Sequence, residues 1–442
     1  MKYYFETYGC QMNSAESAAL ALACKERGWQ EAENSEGADL VLLNTCSVRL
    51  TAERRAFGRI AHYAGLKKKH LRFTLVVAGC MAQRLGEKLK EKYPAVDYVM
   101  GTSSRSLFPL ILQAAEKGEK AEFDLTENAV FSFSNSHLEE GQFRSFIPIM
   151  HGCDNFCSYC IVPYVRGREV SRDPLNIAEE MRLVAGKGVR EITLLGQNVN
   201  SYFWEKDKMD FSALLKFVAE TASKTGIKWI RFLSANPRNF SSQAIKVMAE
   251  NPVFCRHLHL PVQHGSNSVL KAMNRGYTKE RYLELVGELR AAMPGITLST
   301  DILVGFPGET EEDLEQTLLL MEEIKFLYAF MYHFNPREGT KAFDLPGRIS
   351  EEVKRERLSG VIALQKKHTS KLLKSRIGSK ETVLIEGISR KNADELITRT
   401  EKDEMVVVPG PASMIGSFAE VTLSALKGNT FISKELNLCQ DV

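Results

Sequence analysis

Nowhere in its 442 residues does the chain approach the ~18 consecutive apolar residues that a membrane-spanning helix needs. Its first residues, Met1 to Glu6, also lack the basic stretch and apolar core of a secretory leader. Both absences argue against a membrane partner and for a cytoplasmic protein. An excess of charge is missing too: 58 Lys and Arg stand against 55 Asp and Glu, a net of +3 that by itself says little about partners; no DNA partner is expected. Nine cysteines, an odd number with tight local spacing, do not read as a disulfide framework; in a reducing compartment such thiols are available to metal. The remainder, 44% hydrophobic and 26% charged residues, is ordinary for a globular protein of two to four domains.

A fourth cysteine is the most informative absence. Cys153, Cys157 and Cys160 have the spacing C-x3-C-x2-C in His151-Gly152-Cys153-Asp154-Asn155-Phe156-Cys157-Ser158-Tyr159-Cys160. A cubane iron–sulfur cluster held by three thiolates keeps one iron open to bind and activate another molecule. The same i, i+4, i+7 spacing is also one face of a helix, where cysteine packs as a small hydrophobe. Gly152, Asp154-Asn155 and Pro163 favour a loop, and the apolar run Ile147 to Met150 leads into it like a strand. With Tyr159 before the last cysteine, this segment resembles the radical S-adenosylmethionine (SAM) superfamily. That resemblance implies that Cys153, Cys157 and Cys160 hold a [4Fe-4S] cluster whose open iron chelates SAM, with Tyr159 beside the cofactor.

The fold class expected is α/β. Over the first ~115 residues the apolar runs Lys2 to Tyr8, Ala38 to Asn44 and Phe73 to Ala78 alternate with helix-like stretches, as in a doubly wound parallel sheet. Cys10, Cys46 and Cys80 each lie just past one of those runs, so the topology can gather them along one sheet edge, near helix N-termini that favour an anionic cluster. Cys24, Cys255 and Cys439 show no partner pattern. The polar stretch from Glu122 to Gln142 reads as a linker. Beyond it, Ile147 to Met150, Glu191 to Gly196, Trp229 to Ser234, His257 to Val262, Thr297 to Phe306 and Tyr328 to Phe334 predict a partial (β/α)6 barrel, with the cysteine loop at the carboxyl end of its first strand. After a basic helical connector, Glu351 to Arg376, short β-prone runs punctuated by Gly and Pro predict a small all-β barrel of five strands. It resembles the TRAM domain of RNA-modifying enzymes, although Arg376 to Val442 holds eight Lys and Arg against ten Asp and Glu. The expected divisions are 1–118, a linker at 119–142, 143–373 and 374–440.

Two three-cysteine sets in this order resemble the methylthiotransferase family of radical SAM enzymes. The strings Tyr8-Gly9-Cys10-Gln11-Met12-Asn13, Asn44-Thr45-Cys46-Ser47-Val48-Arg49, Ala78-Gly79-Cys80-Met81-Ala82-Gln83-Arg84 and Ile161 to Glu169 are similar to its MiaB-type members, with departures at Leu50 and at Leu233 to Arg238. The resemblance implies an auxiliary [4Fe-4S] cluster on Cys10, Cys46 and Cys80, SAM as second cofactor, and methylthiolation of N6-isopentenyladenosine at tRNA position 37, with an electron-donating reductase as further partner. Threonylcarbamoyladenosine in tRNA and an aspartate of a ribosomal protein are the alternative substrates. A plain iron–sulfur electron carrier would use four ligands per cluster, whereas each set here stops at three. Basic stretches at Arg49 to Lys92, with twelve Lys and Arg and three acidic residues, and at Lys354 to Lys380 fit an RNA backbone. Arg49, Arg166 and Arg168 are the expected tRNA contacts. Gly196 and Gln197, which end the second barrel strand, together with Gln263 and Asp301, are the expected SAM contacts. His257, His259 and His264 suggest strand pairing more than a third metal, and Gly305 to Thr310, lacking a phosphate-loop lysine, reads with Asp313 as a turn into a capped helix.

Overall fold

The computed structural model describes residues 1–48, 50–69, 72–120, 133 and 142–439. Arg49 and nearly all of the expected linker lie outside them. The first unit is a parallel sheet of β1 (Lys2–Thr7), β2 (Gln30–Glu31), β3 (Leu40–Thr45), β4 (Thr74–Gly79) and β5 (Tyr98–Met100), in the order β2-β1-β3-β4-β5. Every residue of β3 is buried, as a central parallel strand covered on both faces requires. The edge strands β2 and β5 have two and three residues, too short to carry the alternation by which a strand is recognised in sequence. Helix α1 (Gln11–Glu26) follows β1 directly; its alanines and leucines favour helix, and Ala15, Leu20 and Cys24 are among its buried residues. Helices α2 (Leu50–Lys68) and α3 (Cys80–Leu85) follow β3 and β4.

The second unit has six parallel strands in two groups of three. Strands β6 (Arg144–Pro148), β7 (Glu191–Leu195) and β8 (Trp229–Phe232) pair as β8-β7-β6, and β9 (His257–His259), β10 (Thr297–Val304) and β11 (Tyr328–His333) pair as β9-β10-β11. A single bridge, Ile230 to Phe254, leads from one group to the other. The first strand starts three residues before the predicted run, because Arg144, facing the inside of the barrel, hides its membership from a reading of apolar residues alone. Ile147, Ile192, Ile230, Leu258, Leu298 and Ile302 share one large core with Met181, Leu215, Tyr282 and Phe326 from between the strands.

The third unit is one sheet of seven strands. Strands β12 (Lys380–Ile388), β13 (Glu395–Thr400), β14 (Met405–Pro409), β15 (Phe418–Thr422), β16 (Ala425–Lys427), β17 (Thr430–Ile432) and β18 (Leu436–Leu438) run β16-β17-β14-β13-β12-β15-β18. The run Phe418 to Leu426 divides at Leu423-Ser424, where the Ser424 N–H donates to the Ile432 carbonyl and turns the chain. This unit closes the amino end of the barrel. Its contacts include the first residues of two barrel strands, where Trp229 meets Phe418 edge-on at 4.8 Å and the Tyr328 hydroxyl donates to Asp403 at 2.6 Å, and Arg231, which donates to the carbonyls of Thr400 and Glu401. At the centre Glu191, 1% exposed, is shared by Arg144 at 3.1 Å and by Arg231 and Arg399 at 3.4 Å. Removing one member of such a buried group leaves the others uncompensated, so Glu191→Ala is expected to lower the stability of the full chain by roughly 3–5 kcal/mol in denaturant unfolding. A loss below ~1 kcal/mol would mean that Glu386, which pairs with Arg144 and Arg399, and Asp403, which pairs with Arg399, suffice to hold the arginines.

Candidate active site

Three adjacent strands, β1, β3 and β4, deliver three cysteines to one edge of the first sheet. Cys10 caps α1, Cys46 follows the last residue of β3, and Cys80 opens α3. Helix N-termini aim backbone N–H groups toward this edge, and the Val48 N–H donates to the Cys46 sulfur at 3.3 Å. Close approach of the loops requires Gly9, at φ +131°: a Cβ there would sit 2.7 Å from Cys46 Cβ. Asn13 organises the base of the site. Its side-chain amide donates to the carbonyls of Tyr8 and Thr45, each at 3.0 Å, and its Oδ1 accepts from the Cys10 thiol at 3.5 Å. The Asn44 amide in turn donates to Ser17 and to the Asn13 carbonyl.

The second triad lies beyond the carboxyl end of β6, after a short pairing of Met150–His151 with Val170–Ser171. The loop is over-determined by hydrogen bonds. Gly152 N–H donates to the Gln197 side chain at 2.6 Å, Cys153 N–H to the Gly167 carbonyl at 3.2 Å and Ser158 N–H to the Met273 carbonyl at 2.9 Å. Asn274 donates to the carbonyls of Asn155 and Phe156, the latter at φ +46°. Two side chains reach the sulfurs: Asn155 donates to Cys153 at 3.5 Å and Arg275 to Cys157 at 3.3 Å. Burial pushes the Cys153 thiol up, the Cys80 thiol up to about 11 and the Cys160 thiol up to about 12. Without metal these thiols keep their protons. Among the described residues no three His, Cys, Asp or Glu side chains converge as for a single metal ion. The ligands of a cubane bind different irons, so the donor set of each triad still fits one.

The two triads meet. Ile161 and Val165 of α4 (Val162–Arg166) and its preceding turn pack on Cys80, and the Thr102 hydroxyl donates to the Val165 carbonyl at 2.6 Å. Arg337, after β11, pairs with Glu53 of α2 at 2.9 Å and donates to the Val48 carbonyl at 2.8 Å, while Arg84 pairs with Glu53 and donates to Ser47. The two cysteine edges therefore lie along one contact seam between the units.

Several sequence expectations change role here. Arg166, expected to contact tRNA, is 6% exposed and engaged by Glu16 at 2.6 Å and Asn13 at 3.1 Å, so it has no face for a phosphate. Arg168 keeps its guanidinium in solvent, 3.0 Å from Asp154 and over the Phe156 ring. Gln197 holds the cysteine loop through Gly152, and Gly196 lies against Met150. Tyr159 is surrounded by Val269, Met273, Leu303 and Phe334, and its hydroxyl accepts from Arg275 at 3.5 Å. Gln263, at φ +74°, joins β10 through its N–H to the Asp301 carbonyl and its carbonyl from Leu303 N–H. The Asp301 carboxylate lies 3.7 Å from His259 inside the barrel. His257 and His259 bond the hydroxyls of Thr297 and Ser299, and His264 bonds Thr317, which satisfies them without metal. Thr310 and Asp313 form the expected capping box. Cys24 and Cys255 are buried, their thiols pushed up to about 12 by burial. Sequence reasoning missed Arg275; no spacing tied it to Cys157, 118 residues away.

Comparison with known proteins fits this arrangement. A model described as the radical SAM superfamily matches residues 147–321, one described as uncharacterized protein family UPF0004 matches 2–101, and the TRAM domain matches 374–433. The tRNA-2-methylthio-N(6)-dimethylallyladenosine synthase of Treponema denticola is 50% identical, over 98% of this chain and 99% of that protein. The protein of that name from Geotalea uraniireducens is 45% identical, over 95% of this chain and 96% of its own length. Among solved structures, the radical SAM methyltransferase TsrM of Kitasatospora setae, solved with cobalamin and a [4Fe-4S] cluster, aligns with a TM-score of 0.59 at 16% identity, covering 77% of this chain and 74% of that one.

Proposed function

Because the chain belongs to the family of the tRNA-2-methylthio-N(6)-dimethylallyladenosine synthases, we propose that it is a cytoplasmic radical SAM methylthiotransferase acting on C2 of N6-isopentenyladenosine at position 37, in the anticodon loop of tRNA. In this reading Cys10, Cys46 and Cys80 hold an auxiliary [4Fe-4S] cluster, and Cys153, Cys157 and Cys160 hold the one that binds SAM. When bound, these groups supply sulfur and methyl transfer and a 5′-deoxyadenosyl radical able to take hydrogen from an unactivated C–H bond, reduced by an external reductase. No side-chain base of ordinary strength could break that bond.

The observation that carries the reading is the contact between the two cysteine regions: each triad stands at the carboxyl edge of its own parallel sheet, and Ile161 and Val165, just past Cys160, pack on Cys80. Around it the chain does three jobs. Burial holds the Cys80, Cys153 and Cys160 thiols up, so loading them with iron releases protons. Donors to sulfur, from Val48, Asn155 and Arg275, compensate thiolate charge once it forms. Arg168 at the loop, the exposed Arg54, Arg55 and Lys68 on α2, and Lys69 just past its end offer cations to RNA phosphate. Not all of the basic stretches are available: Arg59 pairs with Glu6, and Arg357 with Glu309 and Glu311.

Arg275→Gln is expected to preserve iron content while lowering the midpoint potential of the SAM-binding cluster, because a cationic N–H···S bond stabilises the reduced, more negative state. Redox titration followed by electron paramagnetic resonance checks it; an unmoved potential counts against the contact. The function itself is tested by nucleoside mass spectrometry of tRNA from a deletion strain. Loss of the 2-methylthio derivative with accumulation of N6-isopentenyladenosine supports the proposal. Unaltered 2-methylthio nucleosides would overturn it and direct attention to protein aspartate.

A further inference from the structure

Arg166 is in an unusual position. Its side chain is 3% exposed and its partner Glu16 2%, an ion pair at 2.6 Å joining α4 of the barrel unit to α1 of the first unit. Arg105 adds a second cation 3.5 Å from the same carboxylate. Burial alone would push the Glu16 carboxyl up, but Arg166 and Arg105 hold it down to about 2, so it is ionised. Arg166 reaches toward both triads. On one side it donates at 3.1 Å to Asn13 Oδ1, the atom that accepts from the Cys10 thiol. On the other it lies 3.5 Å from His151, two residues before Cys153. Only five residues separate Arg166 from Cys160, and its neighbour Val165 packs on Cys80. Arg166, buried, and Arg105, partly exposed, share the Glu16 carboxylate, and the Arg166 guanidinium lies beside the Cys10 and Cys80 region through Asn13 and Val165.

We propose that Arg166, held by Glu16, is a positioning residue that fixes the first cysteine triad against the second and supplies the compensating positive charge for the cluster on Cys10, Cys46 and Cys80. The inference rests on the reading that those three cysteines hold a cluster. An anionic centre in a buried site needs such compensation, and net charge near a cluster is one of the levers that set its potential. A guanidinium suits the task because its rigid planar fork bonds Glu16 and Asn13 at once in a fixed geometry, where an ammonium is a compact point charge on a flexible stem.

The test uses the full chain with Cys153, Cys157 and Cys160 replaced by Ala, so that only the auxiliary centre is observed, and measures its midpoint potential by redox titration with electron paramagnetic resonance. Arg166→Gln is expected to move the potential to more negative values, and Glu16→Gln, which unmasks the arginines, to more positive ones. Arg166→Lys, which keeps the charge, is expected to stay near the parent value while the ratio of 5′-deoxyadenosine to methylthio product rises several-fold in the otherwise intact enzyme. Opposed shifts cannot arise from general damage to the fold, which would move both variants alike. Shifts of one sign, or none, would overturn the inference. Absence of any cluster on the first unit would overturn it together with the reading beneath it.

Discussion

Cys157→Ala is expected to reduce SAM cleavage to background while the protein keeps about half of its iron, four of about eight atoms by the count of two cubanes. Cys80→Ala should give the converse: the same iron loss, SAM cleavage retained, and no methylthio product. The expectation follows from topology. Cys157 sits in a loop fixed to the barrel by Met273 and Gln197, whereas Cys80 begins a helix on the first sheet, so either set can lose a ligand without unfolding the other. Anaerobic reconstitution, iron analysis and quantification of 5′-deoxyadenosine separate the two cases. SAM cleavage in Cys157→Ala equal to that of the parent would refute the radical assignment, and parallel loss of both activities in both variants would show that the triads are not independent.

Gly152→Ala should be nearly as damaging, for a different reason. Gly152 has φ +79°, and a Cβ there would overlap the Arg168 carbonyl oxygen and lie 2.5 Å from its carbon. Backbone cannot swing aside as a flexible side chain can. Left-handed backbone at a non-glycine residue costs about 1–2 kcal/mol; the overlap adds displacement of the loop that begins at Cys153. A misplacement of ~1 Å in a reacting centre can cost on the order of 100-fold in rate, so SAM cleavage is expected to fall at least that far, with iron on the first unit retained. Gly167→Ala provides the control. Gly167 has nearly the same φ, +74°, but a Cβ there would meet nothing within 4 Å, and the variant should lose only the stability due to strain. Equal losses in the two variants would show that strain, not overlap, governs this turn.

How much of this was legible beforehand depends on the distance over which each signal acts. The cysteines of both triads were readable because a strand followed by Gly-Cys or Thr-Cys is a local pattern, and parallel topology then brings successive strand ends together. Barrel strands of four or more apolar residues were readable for the same reason. Arg144 was not, and although Glu191 stood inside its predicted strand its burial was not legible, since a charged residue in a strand reads as solvent-facing until the partners that cover it, here Arg231 and Arg399, are known. Arg166 was misjudged in the same way: a basic residue beside a cysteine loop suggests phosphate, and only the approach of α1 makes it a buried tie. Gln197 was expected at SAM, and its bond to Gly152 was not legible because it depends on the pairing of β6 with β7.

By itself the sequence determined the chemistry and its order along the chain: two sets of three thiols, each just past a strand, in a scaffold of alternating strands and helices followed by a β-rich module. Those features are set by neighbours a few residues apart, where covalent geometry and hydrophobic periodicity act directly. Tertiary structure alone decided which charges are spent internally, that the β module closes the barrel end away from the cysteines, and that both triads lie along one seam. Such facts depend on contacts between residues tens to hundreds of positions apart, whose energies arise only when packing has removed the water between them.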